Sequence, residues 1–147
     1  MKKMIMMLAM VLTLSTMYAF TGEEAINSQA VSNFKSQFRA ATDTRWTTGK
    51  SYYKVEFNQD DQKLFAYYNF QGEFVAVCRY ISSLNLPFSL QNNLRKNYSE
   101  HWISDLFEMA TKDGTSYYVT LENADSKVVL SSTDGTTWSI YERSKKA

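Results

Sequence analysis

The sequence contains few of the residues that staple small proteins or bind metals. Its 147 residues include one cysteine, one histidine, one proline and five glycines. A single cysteine, Cys78, excludes an internal disulfide, so packing must stabilise the fold. With one histidine, His101, and no CxxC or HxxxH spacing, the chain lacks the pattern of a zinc site, and its scattered glycines form no phosphate-binding loop. We therefore predict no cofactor and no metal.

The chain also lacks a strong net charge and a long apolar run. Sixteen basic residues face fifteen acidic ones, and the alternating signs argue against a nucleic-acid partner, which would require a basic stripe. The apolar run MIMMLAMVLTL follows Lys2 and Lys3 and is shorter than the ~18 residues of a membrane span. We predict a signal peptide over residues 1–19 and a single domain over 20–147, exported without a stable membrane anchor, with the periplasm favoured over the extracellular space.

Aromatic residues are abundant instead, with ten tyrosines, nine phenylalanines and three tryptophans. From Glu24 to Ala41 apolar residues recur every three or four positions, which predicts an amphipathic helix. The period then becomes two in SYYKVEF, LFAYYNF and EFVAVCRYI, with turns at NQDDQ and at Gln71-Gly72. This pattern predicts a helix followed by an antiparallel meander of at least three strands.

The same order begins again at Pro87, because proline suits the first turn of a helix. The second helix is expected to end near Tyr98, and strands follow in WISDLFEMA, SYYVTLE, KVVLSS and TTWSIYER. We interpret residues 24–82 and 85–143 as two repeats, the second of them with a full extra strand after its tryptophan. The matched positions are Phe38 and Trp46 with Leu94 and Trp102, Tyr53, Val55 and Phe57 with Tyr117, Val119 and Leu121, and Gly72, Val75 and Val77 with Gly135, Trp138 and Ile140.

These positions resemble the PepSY-like family of exported bacterial proteins, in which a helix introduced by Leu-Pro leads into a small antiparallel meander. The resemblance rests on Leu86, Pro87, Leu90, Leu94, Tyr98, Tyr117, Val119, Leu121 and the Asp134-Gly135 turn, and in the first repeat on Phe34, Phe38, Tyr53, Val55, Phe57 and Gly72. The first repeat lacks the proline and has Gln71 where aspartate is usual. Doubled, the arrangement is similar to the beta-lactamase inhibitor protein fold, which implies a binding or inhibitory role and supplies no catalytic residues.

The predicted fold class is α+β, with two tandem helix-plus-antiparallel-meander repeats forming one curved sheet and both helices packed on one face. Strand alternation sorts the side chains between the two faces. The set expected to face the helices is Tyr53, Val55, Phe57, Phe65, Tyr67, Val75, Val77, Tyr117, Val119, Leu121, Val128, Leu130, Trp138 and Ile140. The candidate partner-binding residues, expected on the opposite face, are Tyr52, Tyr68, Phe70, Phe74, Tyr80, Tyr118 and Tyr141.

An exposed aromatic cluster indicates an interface, so we predict a non-enzymatic protein that binds or inhibits a protein or peptide in the cell envelope. The alternative is a small-molecule or cofactor carrier that uses the same face, expected to be concave, and that has a pocket lined by the aromatics. The aromatics could also be ordinary strand residues packing across a solvated sheet. A hydrolase would need Glu100, His101 and Cys78 to meet in one cleft, and no motif supports that.

Overall fold

The structure, a computed structural model, describes residues 26–146, so the predicted signal peptide lies outside the described residues. Two α-helices and eight strands follow one another along this range. A short 3₁₀ turn, Ser83–Asn85, precedes the second helix. The bounds are α1 Ser28–Gln37, β1 Thr42–Thr48, β2 Tyr53–Gln59, β3 Gln62–Tyr68, β4 Phe74–Tyr80, α2 Phe88–Asn97, β5 Trp102–Thr111, β6 Gly114–Glu122, β7 Ser126–Ser132 and β8 Ser139–Lys145.

Helix α1 is shorter than the amphipathic pattern predicts, because the polar cap Asn27 begins it and Phe38 leaves helical geometry at its end. The side chain of Asn27 accepts a hydrogen bond of 2.7 Å from the backbone N–H of Gln29. At the other end the N–H of Phe38 donates to the carbonyl of Phe34 at 2.9 Å, and no further helical residue follows. Ala30 and Phe34 form the buried face of the helix.

Helix α2 begins directly after Pro87, which takes the capping position and has no N–H to leave unpaired. The helix ends at Asn97, next to Tyr98, as the sequence predicts. Its buried residues are Leu90 and Leu94. The indole of Trp138 on the last hairpin donates a hydrogen bond of 3.1 Å to the carbonyl of Leu90, which ties the helix to the sheet edge.

The eight strands form one sheet in which strand order follows chain order, and all seven pairings are antiparallel. Each half contains one helix followed by four strands. The prediction that only the second repeat has this full extra strand is wrong. Thr42–Thr48 is a complete strand, and Gly49 belongs to the turn after it, where its N–H donates to the carbonyl of Tyr52 at 2.8 Å.

The predicted match of Trp46 with Trp102 is also wrong. Trp46 lies opposite Val55 and packs on the α1 side of the sheet. Trp102 lies opposite Glu122 at the start of β5 and is largely exposed. Leu106, and not Trp102, lies opposite Val119, the residue that the sequence matches with Val55.

Two apolar cores lie between the helices and one face of the sheet. One helix covers each half of the sheet. Because cross-strand partners share a face, the helix buries the inward-facing residues of all the strands beneath it. The core under α1 contains Ala30, Phe34, Val55, Phe57, Ala66 and Tyr68, and the core under α2 contains Leu86, Leu90, Leu94, Leu106, Val119, Leu121, Val128 and Leu130.

The pairing of β2 with β3 reverses the predicted faces of β3. The two strands are joined by Asp60 and Asp61, both with positive φ, so that Gln59 pairs with Gln62. This two-residue turn sets Val55 opposite Ala66. Leu64, Ala66 and Tyr68 therefore face α1, whereas Phe65 and Tyr67, expected under the helix, lie on the other side.

A bulge at the beginning of β4 reverses the faces predicted for Phe74 and Val75. The register shifts between Tyr67 and Tyr68, which pair with Ala76 and Phe74, so Val75 is the extra residue. Phe74 therefore packs in the core under α1, and Val75, expected there, packs on the opposite face.

Two further residues at the margins of the sheet differ from the prediction, Phe70 in its face and Ile140 in its exposure. Phe70 lies beyond the end of β3 and packs edge-on against Tyr53, a residue of the α1 side. Ile140 lies opposite Leu130 as expected, but on the edge strand β8 it remains exposed.

Candidate protein-binding face

The face of the sheet opposite the helices, called here the open face, carries its own apolar cluster. Within residues 26–146 neither helix contributes to it. Its buried members come from the four central strands β3 to β6, and partly buried side chains surround them. This open-face cluster consists of Tyr67, Ala76, Cys78, Phe107, Met109 and Tyr118, with Tyr52, Phe65, Val75 and Tyr141 packed around it.

Aromatic rings in the open-face cluster contact one another in two separate groups. Phe107 stacks on Tyr118 with ring centroids 5.1 Å apart, and Tyr141 meets Tyr118 edge-on at 5.9 Å. Toward the first half, Tyr52 meets Tyr67 edge-on at 5.3 Å. These are the preferred offset and edge-to-face geometries of aromatic pairs, so the rings hold one another in defined orientations.

Burial removes the ionisable groups of the cluster from chemistry near neutral pH. Desolvation raises the pKa of the Tyr67 and Tyr118 hydroxyls well above their usual range. The Tyr118 hydroxyl is also buried without a hydrogen-bond partner among the described residues. Desolvation raises the pKa of the Cys78 thiol to about 12, so this residue is a protonated, apolar member of the cluster.

The raised pKa of Cys78 predicts slow reaction with thiol reagents. At pH 8 the thiolate is the reactive species, and it is almost absent when the pKa is about 12. We expect a disulfide reagent to label the folded protein far more slowly than the protein unfolded in guanidinium chloride, as followed by absorbance. Equal labelling rates in the two states would contradict the burial of Cys78.

Four of the seven predicted site residues lie on the open face. Tyr52 and Tyr141 border the cluster, Tyr118 lies inside it, and Tyr80 is 57% exposed beside the ring of Phe65 at a centroid distance of 5.7 Å. The other three, Tyr68, Phe70 and Phe74, belong to the α1 side.

Sequence reasoning missed Phe65 and Tyr67 as open-face residues, and it assigned no site role to Phe107 and Met109. The two adjacent aspartates of the β2–β3 turn were the available signal, since a two-residue turn sets the register of the hairpin. That register places Phe65 and Tyr67 outward. Cys78 then pairs with Met109, and Tyr80 with Phe107.

The cluster has a charged border on β1 to β3 and a hydroxyl-bearing border on β6 to β8. Arg45 pairs with Glu56 across the first two strands, and Glu56 pairs with Phe65. Lys63 forms an ion pair with Glu56. The opposite border carries Ser116, paired with Met109, together with Ser131 and Ser139, which pair with each other. An apolar centre inside a polar rim is the usual anatomy of a protein interface.

A cavity of about 420 Å³ lies on the helix side of the sheet, beside the end of α1. Its lining is mostly aliphatic and polar, with Phe38 as its one aromatic ring. Arg79 lines it and donates a hydrogen bond through Nε to Glu108 at 2.9 Å and another through a terminal nitrogen to Gln62 at 2.8 Å. The carrier hypothesis requires a pocket lined by open-face aromatics, and this cavity does not provide one.

The residues that a hydrolase would need are held in separate surroundings. His101 packs edge-on against Tyr98, and its Nε2 lies 3.2 Å from the amide of Asn123. Cys78 lies in the open-face cluster on β4. No group of three or more His, Cys, Asp or Glu side chains among residues 26–146 could hold a metal ion.

Neither described helix is long and apolar enough to span a membrane. No protein-family model matches the sequence. A search among curated proteins likewise finds no match.

Solved structures from Bacteroides species share this fold. A BLIP-like protein from Bacteroides fragilis NCTC 9343 superposes with a TM-score of 0.72 and 18% identity, covering 85% of this chain and 89% of that one. A DUF2874 family protein from Bacteroides ovatus ATCC 8483 gives a TM-score of 0.73 at 14% identity over 83% and 89%. A candidate periplasmic protein from Bacteroides eggerthii DSM 20697 gives 0.70 at 12% identity over 82% and 89%.

At these identities the comparisons establish the fold and nothing finer. The α+β, BLIP-like arrangement predicted from the sequence is confirmed, with a mostly antiparallel eight-stranded sheet and two helices. The PepSY-like resemblance stays a prediction.

Proposed function

We propose that this chain is an exported, non-enzymatic protein that binds or inhibits a protein or peptide of the cell envelope through its open face. The observation that carries the proposal is the open-face cluster, whose aromatic centre neither described helix covers and whose rim, with Tyr52, Phe65 and Tyr141, is partly exposed. A BLIP-like neighbour and a candidate periplasmic neighbour share the fold, which supports protein binding and an envelope location.

The arrangement of the cluster suits recognition because its centre is rigid and its margin is accessible. Rings such as Phe107 and Tyr118 are held by mutual stacking, so ordering them on binding costs little conformational entropy. Around them Tyr52, Phe65 and Tyr141 are partly exposed, and Tyr80 is mostly exposed. Tyrosines of this kind supply large contact area together with a polar group for a partner's hydrogen bonds.

We also propose that the two halves are tandem copies of one unit. Bulges occur in the first and last hairpin of each half, at β1–β2, β3–β4, β5–β6 and β7–β8. The turn glycines Gly72 and Gly135 both have positive φ. Bulges bend strands, so this repetition supports the curved sheet that the proposed binding face requires.

Affinity capture from envelope extract of the source organism tests the proposed function with two matched variants of the mature chain. The first replaces Tyr52, Tyr80 and Tyr141 by serine. The second replaces Leu84 and Phe88, which are 82% and 72% exposed and lie outside the sheet, also by serine. Both must show the thermal unfolding transition of the wild type.

We expect a captured protein to be lost from the open-face variant and retained by the Leu84 and Phe88 variant, since only the first loses interface area. Mass spectrometry identifies the partner, and a binding titration with the purified partner measures the loss. Equal capture by wild type and open-face variant would show that the aromatics belong to sheet structure alone.

A further inference from the structure

The charged border of the open face contains one lysine in an unusual setting. Lys54 lies between Thr47 on β1 and Tyr67 on β3, so its side chain shares the open face with the cluster. Its ammonium nitrogen is 4.6 Å from the centroid of the Phe65 ring, a cation–π contact. The side chain is half-buried, and desolvation lowers the pKa of Lys54 from its usual value.

Lys54 lacks the carboxylate partner that its neighbour has. Lys63 approaches the same Phe65 ring from 5.9 Å and is bonded to Glu56. Among residues 26–146 no carboxylate lies within ion-pair distance of the Lys54 nitrogen. Two lysines therefore flank one aromatic ring, and only Lys63 has a direct ion pair, since Glu56 acts on Lys54 at longer range.

The local charge balance leaves this border positive. Three cations, Arg45, Lys54 and Lys63, share the open face of β1 to β3 with two anions, Glu56 and Asp43, the second of which accepts a hydrogen bond from Asn58, and this leaves an excess of one positive charge. A partly desolvated cation without a direct ion pair is unfavourable, and a carboxylate that contacts it compensates for the hydration it has lost. An acidic group in a partner therefore complements this corner, whereas a basic group is repelled.

We propose that Lys54 anchors the carboxylate of an aspartate or glutamate in the protein partner, and that this acidic residue is flanked by an aromatic or aliphatic residue that packs on Phe65 and Tyr67. The inference rests on the proposed function and narrows it, because it specifies the chemistry of the segment that docks on the open face. The acid engages Lys54, and the apolar neighbour covers the rings beside it.

A displayed library of random twelve-residue peptides, selected against the wild-type mature protein, tests this inference. Peptides that no longer bind the variant with Tyr52, Tyr80 and Tyr141 replaced by serine are assigned to the open face. We expect these peptides to be enriched in an acidic residue next to an aromatic or aliphatic one.

A double-mutant cycle on a selected peptide then isolates the Lys54 contact. Converting the acid of the peptide to its amide is expected to weaken binding to the wild type at least about tenfold. The same conversion is expected to leave binding to Lys54→Met nearly unchanged. Lys63→Met is the matched control, because Lys63 is already paired with Glu56, and the amide peptide should still bind this variant about tenfold more weakly than the acid peptide.

The outcomes separate this inference from the proposed function. Open-face peptides without acidic enrichment, or an acid whose loss weakens binding equally in wild type and Lys54→Met, would overturn the role of Lys54 and leave open-face binding intact. A selection that yields no peptide dependent on the open face would count against the proposed function and this inference together.

Discussion

Replacing Tyr68 by alanine is expected to lower the free energy of unfolding by about 3 to 5 kcal/mol, the usual cost of removing a large aromatic side chain from a core. Tyr68 is 0% exposed. Its ring contacts Phe74 and Trp46, each at a centroid distance of 5.8 Å, and its hydroxyl donates to Gln37 of α1 at 2.7 Å. Urea denaturation followed by fluorescence measures the loss.

Two control variants divide this effect into its causes. Tyr68→Phe keeps the packing and removes only the hydrogen bond to Gln37, so a loss of about 1 kcal/mol is expected. Tyr80→Ala removes a tyrosine that is 57% exposed on the open face, and its cost should stay below about 1 kcal/mol. If Tyr80→Ala destabilised the protein as much as Tyr68→Ala, the exposure of Tyr80 on the open face would be contradicted.

Gly72→Ala is expected to destabilise the protein by about 2 to 4 kcal/mol, through backbone strain and steric overlap together. Gly72 has φ +85°, which an L-residue adopts only at a cost. An added Cβ would lie 2.7 Å from the backbone nitrogen of Ala30 and 2.7 Å from Cβ of Gln29, so α1 would have to move away from the hairpin. That movement also disturbs the hydrogen bond of 2.7 Å from Asn33 to the Gly72 carbonyl.

Gly135→Ala is the matched control in the second half of the chain. Gly135 has φ +69°, but its nearest neighbour to an added Cβ is Cγ of Pro87 at 3.6 Å, an ordinary contact. Gly135→Ala should therefore lower the free energy of unfolding only by the cost of the positive φ, about 1 to 2 kcal/mol. Thermal melts of both variants measure the difference, and equal losses would contradict the close approach of α1 to Gly72.

Periodicity and turn residues predicted most of the elements of this fold. The strands after α2 follow the segments expected from WISDLFEMA to TTWSIYER, because alternation and turn chemistry act over a few residues and can be read locally. The missed strand β1, TDTRWTT, has no alternating apolar pattern, since the edge strand is mostly exposed. Its pairing with β2 is a tertiary effect that local propensity does not report.

The candidate site could be predicted only in part, because faces depend on register. β3 contains the consecutive apolar residues LFAYY, so hydrophobicity alone does not say which side faces the helix. The turn at Asp60 and Asp61 sets the register of β3 and so determines which of its residues face α1. The bulge at Val75 determines the same for the beginning of β4. Four tyrosines lie on the open face as expected, because neither the turn nor the bulge changes which face their positions take: Tyr52, Tyr80, Tyr118 and Tyr141.

Strand order equals chain order in this sheet, so each strand is hydrogen-bonded only to its neighbours along the chain. The two halves are joined edge to edge by the short ladder from Val77 with Ala110 to Tyr80 with Phe107. Force applied to the first and last strands acts across the hydrogen bonds of each ladder, so the strands would separate one ladder after another rather than shear as a block. A partner that spans β3 to β6 would bridge this ladder from the open face, and its binding should therefore raise the force at which the halves separate.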